Sequence, residues 1–432
     1  MSSRFKHILI TVFSVFLAIV ITFQITYLVL FDRVKKEREE LSLLRDEIAL
    51  AQEEAEEVPL SDRIVDKLNE INTIYTGSYI HDIDEDFLLD CICDAYVYGT
   101  GDKYSAYYTP EDYADFALSM SGGMVGIGIS VLFDNLTGIM EITSVMPDSP
   151  ALEGGLLPGD ILYSVEGDLV STLGYYKTLD NMKGEEGTKV NFTILRKNAG
   201  EESYDEIPFT MERRMVTVPS VTGHLYDDDK TIGIIEITEF DTETPRQFTA
   251  TLNELIGQGA TRFVFDIRDN PGGELNSILN VLDVILPAGP LVRIVDREGN
   301  EQVINGTDGE IEEKFVVLVN GNTASAAELF SSAVKDYRKG ILVGTNTYGK
   351  GTMQHIYTLS DGSAIKVSDN LYNPPYSDNY EGIGVKPDFT VEMAEELQNV
   401  NRLRIDERDD TQLQAAISIL NVMAKGIDPL AS

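Results

Sequence analysis

Four short apolar segments separated by helical stretches most constrain what this chain can fold into. From Met215 onward these segments read TIGIIEI, RFVFDIR, KFVVLVN and GILVG. Helical patterns lie between them, near residues 246–256, 275–285 and 324–337. Regular alternation of strands and helices is the pattern of an α/β core. The last part of the chain is therefore expected to form such a core.

Two different patterns precede this core. After Pro59 the chain is mostly helical up to about Met120, and TPEDYADF supplies a threonine cap followed by a proline at the first helical position. From SGGMVGIGISVLFD onward, glycines punctuate alternating Val, Ile and Leu, and short strands with turn signals continue to about Glu212. We predict a small helical segment and then a mostly β domain.

The N-terminus carries a long apolar run. Residues Ile8 to Phe31 are 24 residues without a formal charge, and a membrane-spanning helix needs about 20. No small-x-small cleavage site follows, so an uncleaved membrane anchor is favoured over a removed signal peptide. Basic residues flank the run on both sides, so charge alone does not determine the orientation of the anchor.

A short heptad pattern follows the anchor. Val34, Leu41, Ile48 and Ala55 recur every seven residues, but Glu37 interrupts the second apolar row. The pattern fits either a short coiled coil or a solvated single helix that acts as a stalk. At the other end of the chain, the residues after Val391 are polar and read as helical. Their apolar positions, which form a candidate partner face, are Leu413, Ile417 and Leu420.

Composition excludes several classes of function. The formal net charge of −38 argues against nucleic-acid binding, which requires clustered Lys and Arg to replace counterions. The two cysteines, Cys91 and Cys93, are half of a metal site at best and are interpreted as small apolar helix residues. No H-E-x-x-H motif is present, so a zinc hydrolase is not expected.

The segment GTNTYGKGT, which contains Lys350, is close to a phosphate-binding loop. A true loop of that kind has Ser or Thr directly after the lysine and then a helix. Here Gly351 follows the lysine, and the next residues, TMQHIYTL, alternate like a strand. The nucleotide interpretation is therefore rejected, and the role of Lys350 has to come from elsewhere in the chain.

Ser325 lies where a buried strand ends and a helix begins, in VLVNGNTASAAELF. Amides at a helix N-terminus can bind an oxyanion, so this is a suitable position for a nucleophile. Thr323 or Ser325 could equally be a simple helix cap. As a base, His355 is near in sequence, although no G-x-S-x-G motif surrounds the serine. Lys350 is the other candidate base, provided that burial keeps it neutral.

Together, three motifs resemble a known family. GNTASAAELF, followed by GTNTYGKGTMQ and preceded by FDIRDNPGG, resembles the carboxyl-terminal processing proteases, which are serine-lysine peptidases. Lys350 follows Ser325 by 25 residues, as the family pattern leads one to expect. The resemblance spans roughly Leu60 to Glu395 and leaves out the anchor, the stalk and the tail.

The resemblance implies specific roles for the matching residues. Ser325 would be the nucleophile, Lys350 the general base and Gln354 the group that orients the lysine. In this family backbone amides hold the oxyanion, and the residues that match here are Ala326 and one of Gly272 and Gly273. No metal and no cofactor are implied.

The β domain resembles a PDZ domain. VGIGIS is similar to its carboxylate-binding loop, and SPALEGGLLPGDILYSVEG is similar to PDZ segments attached to proteases. The amides expected to bind a substrate C-terminus belong to Gly126, Ile127, Gly128 and Ile129.

These observations predict a multidomain α+β protein with an N-terminal transmembrane helix, a helical segment, a PDZ-like β domain and an α/β serine-protease core. The predicted segments are the anchor (1–31), the stalk (32–58), the helical domain (59–119), the PDZ domain (120–212), the core (213–395) and the helical tail (396–432). The expected function is a membrane-anchored serine endopeptidase that selects proteins by their free C-terminus. The alternative is a PDZ-type scaffold whose protease core is inactive or gated by a partner.

Family members with such an anchor generally act outside the cytoplasmic membrane, and that location is expected for this catalytic part. The expected partners are protein substrates with accessible C-termini and the membrane. The family also dimerises through segments outside the core, so the heptads and the tail are candidates for a homodimer contact.

Overall fold

A computed structural model describes residues 23, 24, 26, 28–45, 58–134, 137–198, 200, 203–307, 309–398 and 400–431. Most of the predicted anchor and residues 46–57 of the predicted stalk lie outside these described residues. Among the helices that the structure describes, none is both long enough and apolar enough to cross a membrane.

The chain divides into two compact units, Met1–Glu85 and Asp86–Ser432. In the first unit, residues 28–45 are helical (α1) and a second helix, α2, spans Leu60–Ser78 and begins directly after Pro59. The heptad residues Val34 and Leu41 are exposed in α1. The predicted helical segment 59–119 contributes to both units.

The second unit begins with helical elements around one short strand. Helix α3 (Glu85–Tyr98) is followed by β1 (Ala106–Tyr108) and α4 (Pro110–Met120). The predicted cap of α4 is present, because Thr109 Oγ1 accepts a hydrogen bond from the amide of Asp112 at 3.1 Å. The strand β1 was not predicted.

An antiparallel β region follows. Its elements are β2 (Gly123–Gly126), β3 (Ile129–Asp134), β4 (Ile139–Val145), α5 (Pro150–Glu153), β5 (Ile161–Val165), β6 (Asp168–Leu169), α6 (Val170–Met182), β7 (Lys189–Lys197), β8 (Tyr204–Glu212) and β9 (Arg214–Thr217). The main sheet has the order β3-β4-β5-β7-β8, with β6 paired to β5. Alternate residues of β7, namely Val190, Phe192 and Ile194, are buried, as period-two alternation on a one-sided sheet requires.

The predicted α/β core is a six-stranded sheet. Its strands are β10 (Val221–Leu225), β11 (Ile232–Ile237), β12 (Arg262–Asp266), β15 (Lys314–Val319), β16 (Ile341–Gly344) and β19 (Phe389–Thr390), in that order. Every neighbouring pair is parallel except β10 with β11. One face packs on α7 (Thr244–Gly257), α8 (Leu275–Ile285) and α9 (Ala326–Asp336). Because β12 and β15 are adjacent and parallel, the loops after their carboxyl ends meet at one edge of the sheet.

A second sheet of five strands covers this edge. It contains β13 (Gly289–Asp296), β14 (Glu301–Gly306), β17 (Thr352–Thr358) and β18 (Ala364–Asn373) together with β1. The order is β1-β18-β13-β14, and β17 pairs with β18. The sheet therefore assembles strands from distant parts of the sequence around the residues that follow Lys350.

The prediction that the tail presents a partner face was wrong. The tail does form a helix, α10 (Thr411–Met423), but Leu413, Ile417 and Leu420 are buried against strands of the core sheet. A buried ion-pair network also joins the tail to the core. Arg268 Nη2 lies 2.6 Å from Asp266 Oδ2 and 2.8 Å from Asp410 Oδ2. Within the described residues, the tail is part of the core.

Candidate active site

Ser325 begins helix α9 in an unusual backbone conformation. Its φ is 56° and its ψ is −122°, a region that non-glycine residues rarely occupy unless the surroundings enforce it. The preceding loop supplies such enforcement, because Thr323 Oγ1 donates to the carbonyl of Ile267 at 3.0 Å and accepts from the amide of Asn320 at 3.0 Å. The strained conformation is therefore built into the turn that follows β15.

Glu328 links the serine to the segment that carries Lys350. Its carboxylate is completely buried and accepts from the amides of Ser325 at 3.0 Å, Gly349 at 2.6 Å and Lys350 at 2.7 Å. The hydroxyl of Thr347 donates to the same carboxylate at 2.5 Å. A buried carboxylate is stable only when such donors surround it. Glu328 thus sets the distance between two segments that are far apart in sequence.

Burial governs the chemistry of Lys350. The partly buried side chain loses hydration, and this lowers the pKa of Lys350 below its ordinary value. The positive charge of Lys366 lowers it further, whereas the carboxylates of Glu381, Asp102 and Glu328 act in the opposite direction. Lys350 is therefore easier to deprotonate than a solvated lysine.

Ser325 and Lys350 line one cavity of about 800 Å³, which Gln354 and His355 also line. Among the described contacts, no hydrogen bond joins Ser325 Oγ to Lys350 Nζ. The ammonium lies 4.8 Å from the centre of the Tyr104 ring instead, within the range of a cation–π contact.

The predicted partnership of Gln354 with Lys350 is absent from the described contacts. Gln354 Nε2 donates to the carbonyl of Thr352 at 3.1 Å and to Ser368 Oγ at 3.2 Å. The Gln354 side chain is therefore held by hydrogen bonds to its own strand, β17, and to the neighbouring strand β18. Gln354 shares the cavity with the lysine without a hydrogen bond to it.

The two glycines predicted for oxyanion binding differ in what their amides do. The amide of Gly272 donates to Asn270 Oδ1 at 2.8 Å. The amides of Gly273 and Ala326 have no acceptor within the described structure. Position 272 nevertheless requires glycine, because a side-chain carbon there would lie 2.7 Å from Ser325 Cβ and 2.9 Å from the nitrogen of Ala326.

Comparisons with known proteins identify the family of this chain. Residues 231–391 match peptidase family S41, and residues 141–196 match a PDZ domain. The carboxyl-terminal-processing protease of Synechocystis sp. is 32% identical over 315 residues, which are 72% of each chain. The chain belongs to the carboxyl-terminal processing proteases.

A further relative and a solved structure are also similar to this chain. The carboxy-terminal-processing protease of Bartonella bacilliformis is 29% identical over 298 residues, or 67% of each chain. A solved structure, a putative S41 protease from Bacteroides fragilis, shares the fold with a TM-score of 0.53 at 17% identity. That match covers 78% of this chain and 90% of the other. The family membership makes this chain a serine-type peptidase with a PDZ domain.

In this processing protease, the residues predicted to bind a C-terminus lie between strands. Gly126 ends β2 and Ile129 begins β3. The amides of Ile127 and Gly128 have no acceptor among the described hydrogen bonds, and their carbonyls accept from Ala151 and Met146. All four loop residues line a small cavity of about 50 Å³ beside Leu179 and Met182 of α6.

The alternative base, His355, does not contact the serine. Its Nδ1 lies 2.8 Å from both carboxylate oxygens of Asp369, and the hydroxyl of Tyr357 donates to the same carboxylate at 2.8 Å. His355 therefore belongs to a polar cluster at the rim of the cavity. No triad through this histidine is formed.

The two cysteines lie on α3 as free thiols. The described residues contain no cluster of three or more His, Cys, Asp or Glu side chains that could hold a metal ion.

Two residues of the site were missed by sequence reasoning. Glu328 is the first, and its place three positions after the serine on an apolar helix could have identified it. Tyr372 lies on β18, almost completely buried, with its hydroxyl 3.0 Å from Ser325 Oγ and 2.9 Å from the carbonyl oxygen of Lys350. No local signal marks Tyr372, because only the pairing of distant strands brings it to the site.

Proposed function

We propose that this chain is a membrane-anchored serine endopeptidase that binds protein C-termini through its PDZ domain and hydrolyses peptide bonds with a Ser325–Lys350 dyad. The observation that supports the dyad is the shared cavity of Ser325 and Lys350, two segments that Glu328 ties together. A lysine whose pKa is lowered by burial supplies a neutral amine at a lower pH than a solvated lysine does.

The first half of the reaction forms an acyl-enzyme. Ser325 Oγ attacks the peptide carbonyl carbon while its proton passes to Lys350 Nζ. The amides of Ala326 and Gly273, which have no acceptor in the described structure, stabilise the oxyanion. When the C–N bond breaks, Lys350 returns the proton to the departing amine and the acyl group remains on Ser325.

The second half of the reaction releases the acyl group. Lys350 takes a proton from a water molecule, the resulting hydroxide attacks the ester carbon, and the proton then passes to Ser325 Oγ as the ester bond breaks. Both residues return to their starting protonation states. Gln354, on the same cavity wall, is the group proposed to hold Lys350 Nζ once it faces the serine.

The PDZ loop is proposed to select the substrate. The amides of Ile127 and Gly128 are available for a terminal carboxylate, and the adjacent cavity beside α6 suits a small apolar side chain. A substrate tail added along β3 would gain main-chain hydrogen bonds, as in other strand-addition complexes.

Membrane attachment is proposed from the sequence alone. The 24 uncharged residues Ile8 to Phe31 support a single-pass anchor, with the catalytic part outside the cytoplasmic membrane. The apolar heptad residues exposed in α1 support a homodimer contact through the stalk.

A gated form of the same enzyme is the second candidate. The position of Lys350 Nζ over the Tyr104 ring favours this candidate. From that position the lysine side chain has to turn toward Ser325 before Nζ can accept the serine proton. On this alternative, binding of a substrate tail or a partner would move the lysine.

The test is proteolysis by the full chain in lipid vesicles. The substrate is an unstructured protein with an apolar C-terminus, supplied with a free or an amidated terminus. We expect cleavage by the wild type, abolished in Ser325→Ala and in Lys350→Ala, and weaker on the amidated substrate. The control variants Ser360→Ala and Lys386→Ala, both exposed and outside the cavity, should cleave like the wild type.

Each outcome has a distinct meaning. Undiminished cleavage by Ser325→Ala or Lys350→Ala would refute the dyad. If the wild type binds the free C-terminus without cutting until a partner protein is added, the gated form is favoured over the constitutive one.

A further inference from the structure

The hydroxyl of Tyr372 contacts both segments of the proposed dyad. It lies 3.0 Å from Ser325 Oγ and 2.9 Å from the carbonyl oxygen of Lys350. The backbone amide of Tyr372 also donates to the carbonyl of Gly351 at 3.1 Å. Strand β18 is therefore fastened to the lysine segment by main chain and side chain, with the phenol directed at the serine.

Proton counting determines the direction of the two hydroxyl contacts. A phenol has one proton to donate, and a carbonyl oxygen can only accept. The phenol therefore donates its one proton, which is shared between Ser325 Oγ and the carbonyl oxygen of Lys350. Because Ser325 Oγ accepts from the phenol, the proton of the serine hydroxyl remains free to be directed at a base.

Burial maintains the arrangement over the working pH range. The side chain is only 4% exposed, and loss of hydration raises the pKa of the Tyr372 phenol well above its ordinary value. The phenol therefore remains protonated and keeps its donor. A buried hydroxyl with two partners of this kind has a fixed orientation.

We propose that Tyr372 is a further catalytic residue, which orients the Ser325 hydroxyl and, as that hydroxyl loses its proton, donates a hydrogen bond to Oγ. The inference rests on the proposed role of Ser325 as nucleophile. When the serine proton passes to Lys350 Nζ, Ser325 Oγ becomes the stronger acceptor, and the phenol O–H that was shared with the carbonyl of Lys350 is directed at the serine oxygen. The phenol keeps its proton throughout, so no bond to Tyr372 is made or broken.

The chain offers a matched control in Tyr380. Its ring lies 6.1 Å from that of Tyr372, centre to centre, and it is equally buried. Its hydroxyl makes no close hydrogen bond in the described structure, although burial raises the pKa of Tyr380 and the nearby Tyr372 phenol raises it further. Tyr380→Phe therefore removes the same atom from the same region without removing a contact to Ser325 or to Lys350.

The experiment compares the full-length wild type with Tyr372→Phe, Tyr380→Phe and Ser325→Ala. We measure kcat and KM on a peptide substrate and the rate at which a fluorophosphonate probe labels the serine. Removing one preorganised hydrogen bond to a reacting oxygen typically costs about 10- to 1,000-fold in kcat. We expect Tyr372→Phe to lose about 10- to 100-fold in kcat and in labelling rate with little change in KM, and Tyr380→Phe to resemble the wild type.

Three results would overturn or redirect the inference. A kcat of Tyr372→Phe close to that of the wild type, with Ser325→Ala inactive, refutes the role of Tyr372 and leaves the proposed function intact. An equal loss of kcat in both Phe variants refutes it as well, because the effect would then be packing. An active Ser325→Ala refutes the proposed function itself.

A second variant guards against loss of folding. Incorporating a trifluorotyrosine at position 372 keeps the ring and the hydroxyl but lowers the pKa of the phenol. We expect kcat of this variant to fall at alkaline pH, where kcat of the wild type does not fall, because an ionised phenol can no longer donate. A pH profile identical to that of the wild type would contradict the proposal.

Discussion

At the scale of single residues, the electrostatics of Lys350 limit what the site can do. Two positive side chains, Lys350 and Lys366, line the same cavity. Lys366 Nζ lies 5.6 Å from the centre of the Tyr108 ring and 5.8 Å from that of Phe116. Within the described residues no carboxylate pairs with it. An unpaired positive charge of this kind makes protonation of Lys350 less favourable.

The first prediction concerns the pH dependence of cleavage. Only neutral Lys350 acts as base, so kcat/KM rises with pH as the lysine deprotonates. Lys366→Met removes a repelling charge, which raises the pKa of Lys350 and moves this rise to higher pH. On the acidic limb we expect kcat/KM to fall by about three- to tenfold, because a smaller fraction of Lys350 is then neutral. Lys366→Arg keeps the charge and should keep the wild-type profile, and a shift in Lys366→Arg but not in Lys366→Met would contradict this account.

The second prediction concerns Glu328. Glu328→Gln keeps the size of the side chain but places an amide NH₂ among four hydrogen-bond donors, so some of them lose their acceptor. We expect the free energy of unfolding to fall by about 2 to 4 kcal/mol, because each unsatisfied buried group costs about 1 to 3 kcal/mol. We also expect kcat to fall, because the segments that carry Ser325 and Lys350 would move apart. Urea unfolding measures the first effect. Glu310→Gln, a surface acid paired with Lys339, serves as the control, and equal unfolding midpoints for the two variants would exclude the linking role of Glu328.

At the scale of elements, the turn between β2 and β3 is built around one glycine. Gly128 has a φ of 80°, which favours glycine. A side-chain carbon at this position would lie only 2.3 Å from Ser149 Cβ. Ser149 is itself buried, and its hydroxyl donates a hydrogen bond to the carbonyl of Met146 at 2.7 Å. The turn therefore depends on close contact with the segment that begins α5.

The third prediction separates this contact from backbone strain. In Gly128→Ala we expect affinity for a peptide with a free C-terminus to fall by about tenfold or more, because the loop must move away from Ser149. Gly155 has the same φ of 80° and open space around it. Gly155→Ala therefore introduces only the backbone strain, which is about 1 to 2 kcal/mol, and this variant should bind the peptide normally. Fluorescence anisotropy with free and amidated peptides measures both, and equal losses in the two variants would show that the loop contact is unimportant.

At the scale of the whole molecule, the C-terminal tail completes the protease core. Helix α10 covers one face of the six-stranded sheet, and Arg402 of the tail contacts Asp266, Asp269 and Glu236. Asp266 and Asp269 precede the glycine pair Gly272 and Gly273 by only a few residues. The tail thereby supports the loop that carries the proposed oxyanion donor.

The fourth prediction tests whether the tail is structural. Leu420 is completely buried in α10, so Leu420→Ala should lower the free energy of unfolding by about 2 to 5 kcal/mol, as for other buried leucines. Leu430, beyond the helix, is exposed, and Leu430→Ala should unfold like the wild type. Urea unfolding of the second unit monitors both variants. Equal free energies of unfolding for Leu420→Ala and Leu430→Ala would mean that α10 does not stabilise the protease core.

Local patterns in the sequence were sufficient for the main strands and helices of the core sheet and for the motifs, but not for the second, five-stranded sheet. Apolar strands alternating with helices indicated the α/β core, because buried parallel strands must be continuously apolar. The motifs around Ser325 and Lys350, together with NPGG, indicated the protease family, because short loops at strand ends carry their chemistry in consecutive residues. The resemblance to a PDZ domain likewise rested on consecutive residues, GIGI and the segment after it.

Only the tertiary structure decided what these motifs contact. The positions of Glu328 between two loops, of Tyr372 against Ser325, and of Leu420 inside the core depend on pairings between residues distant in sequence. Gln354 is equally visible in the sequence, yet its hydrogen bonds go to Thr352 and Ser368. Sequence patterns record which residues face inward, but the free energy that selects one partner over another comes from close packing and from satisfying every buried polar group, and both depend on the assembled fold.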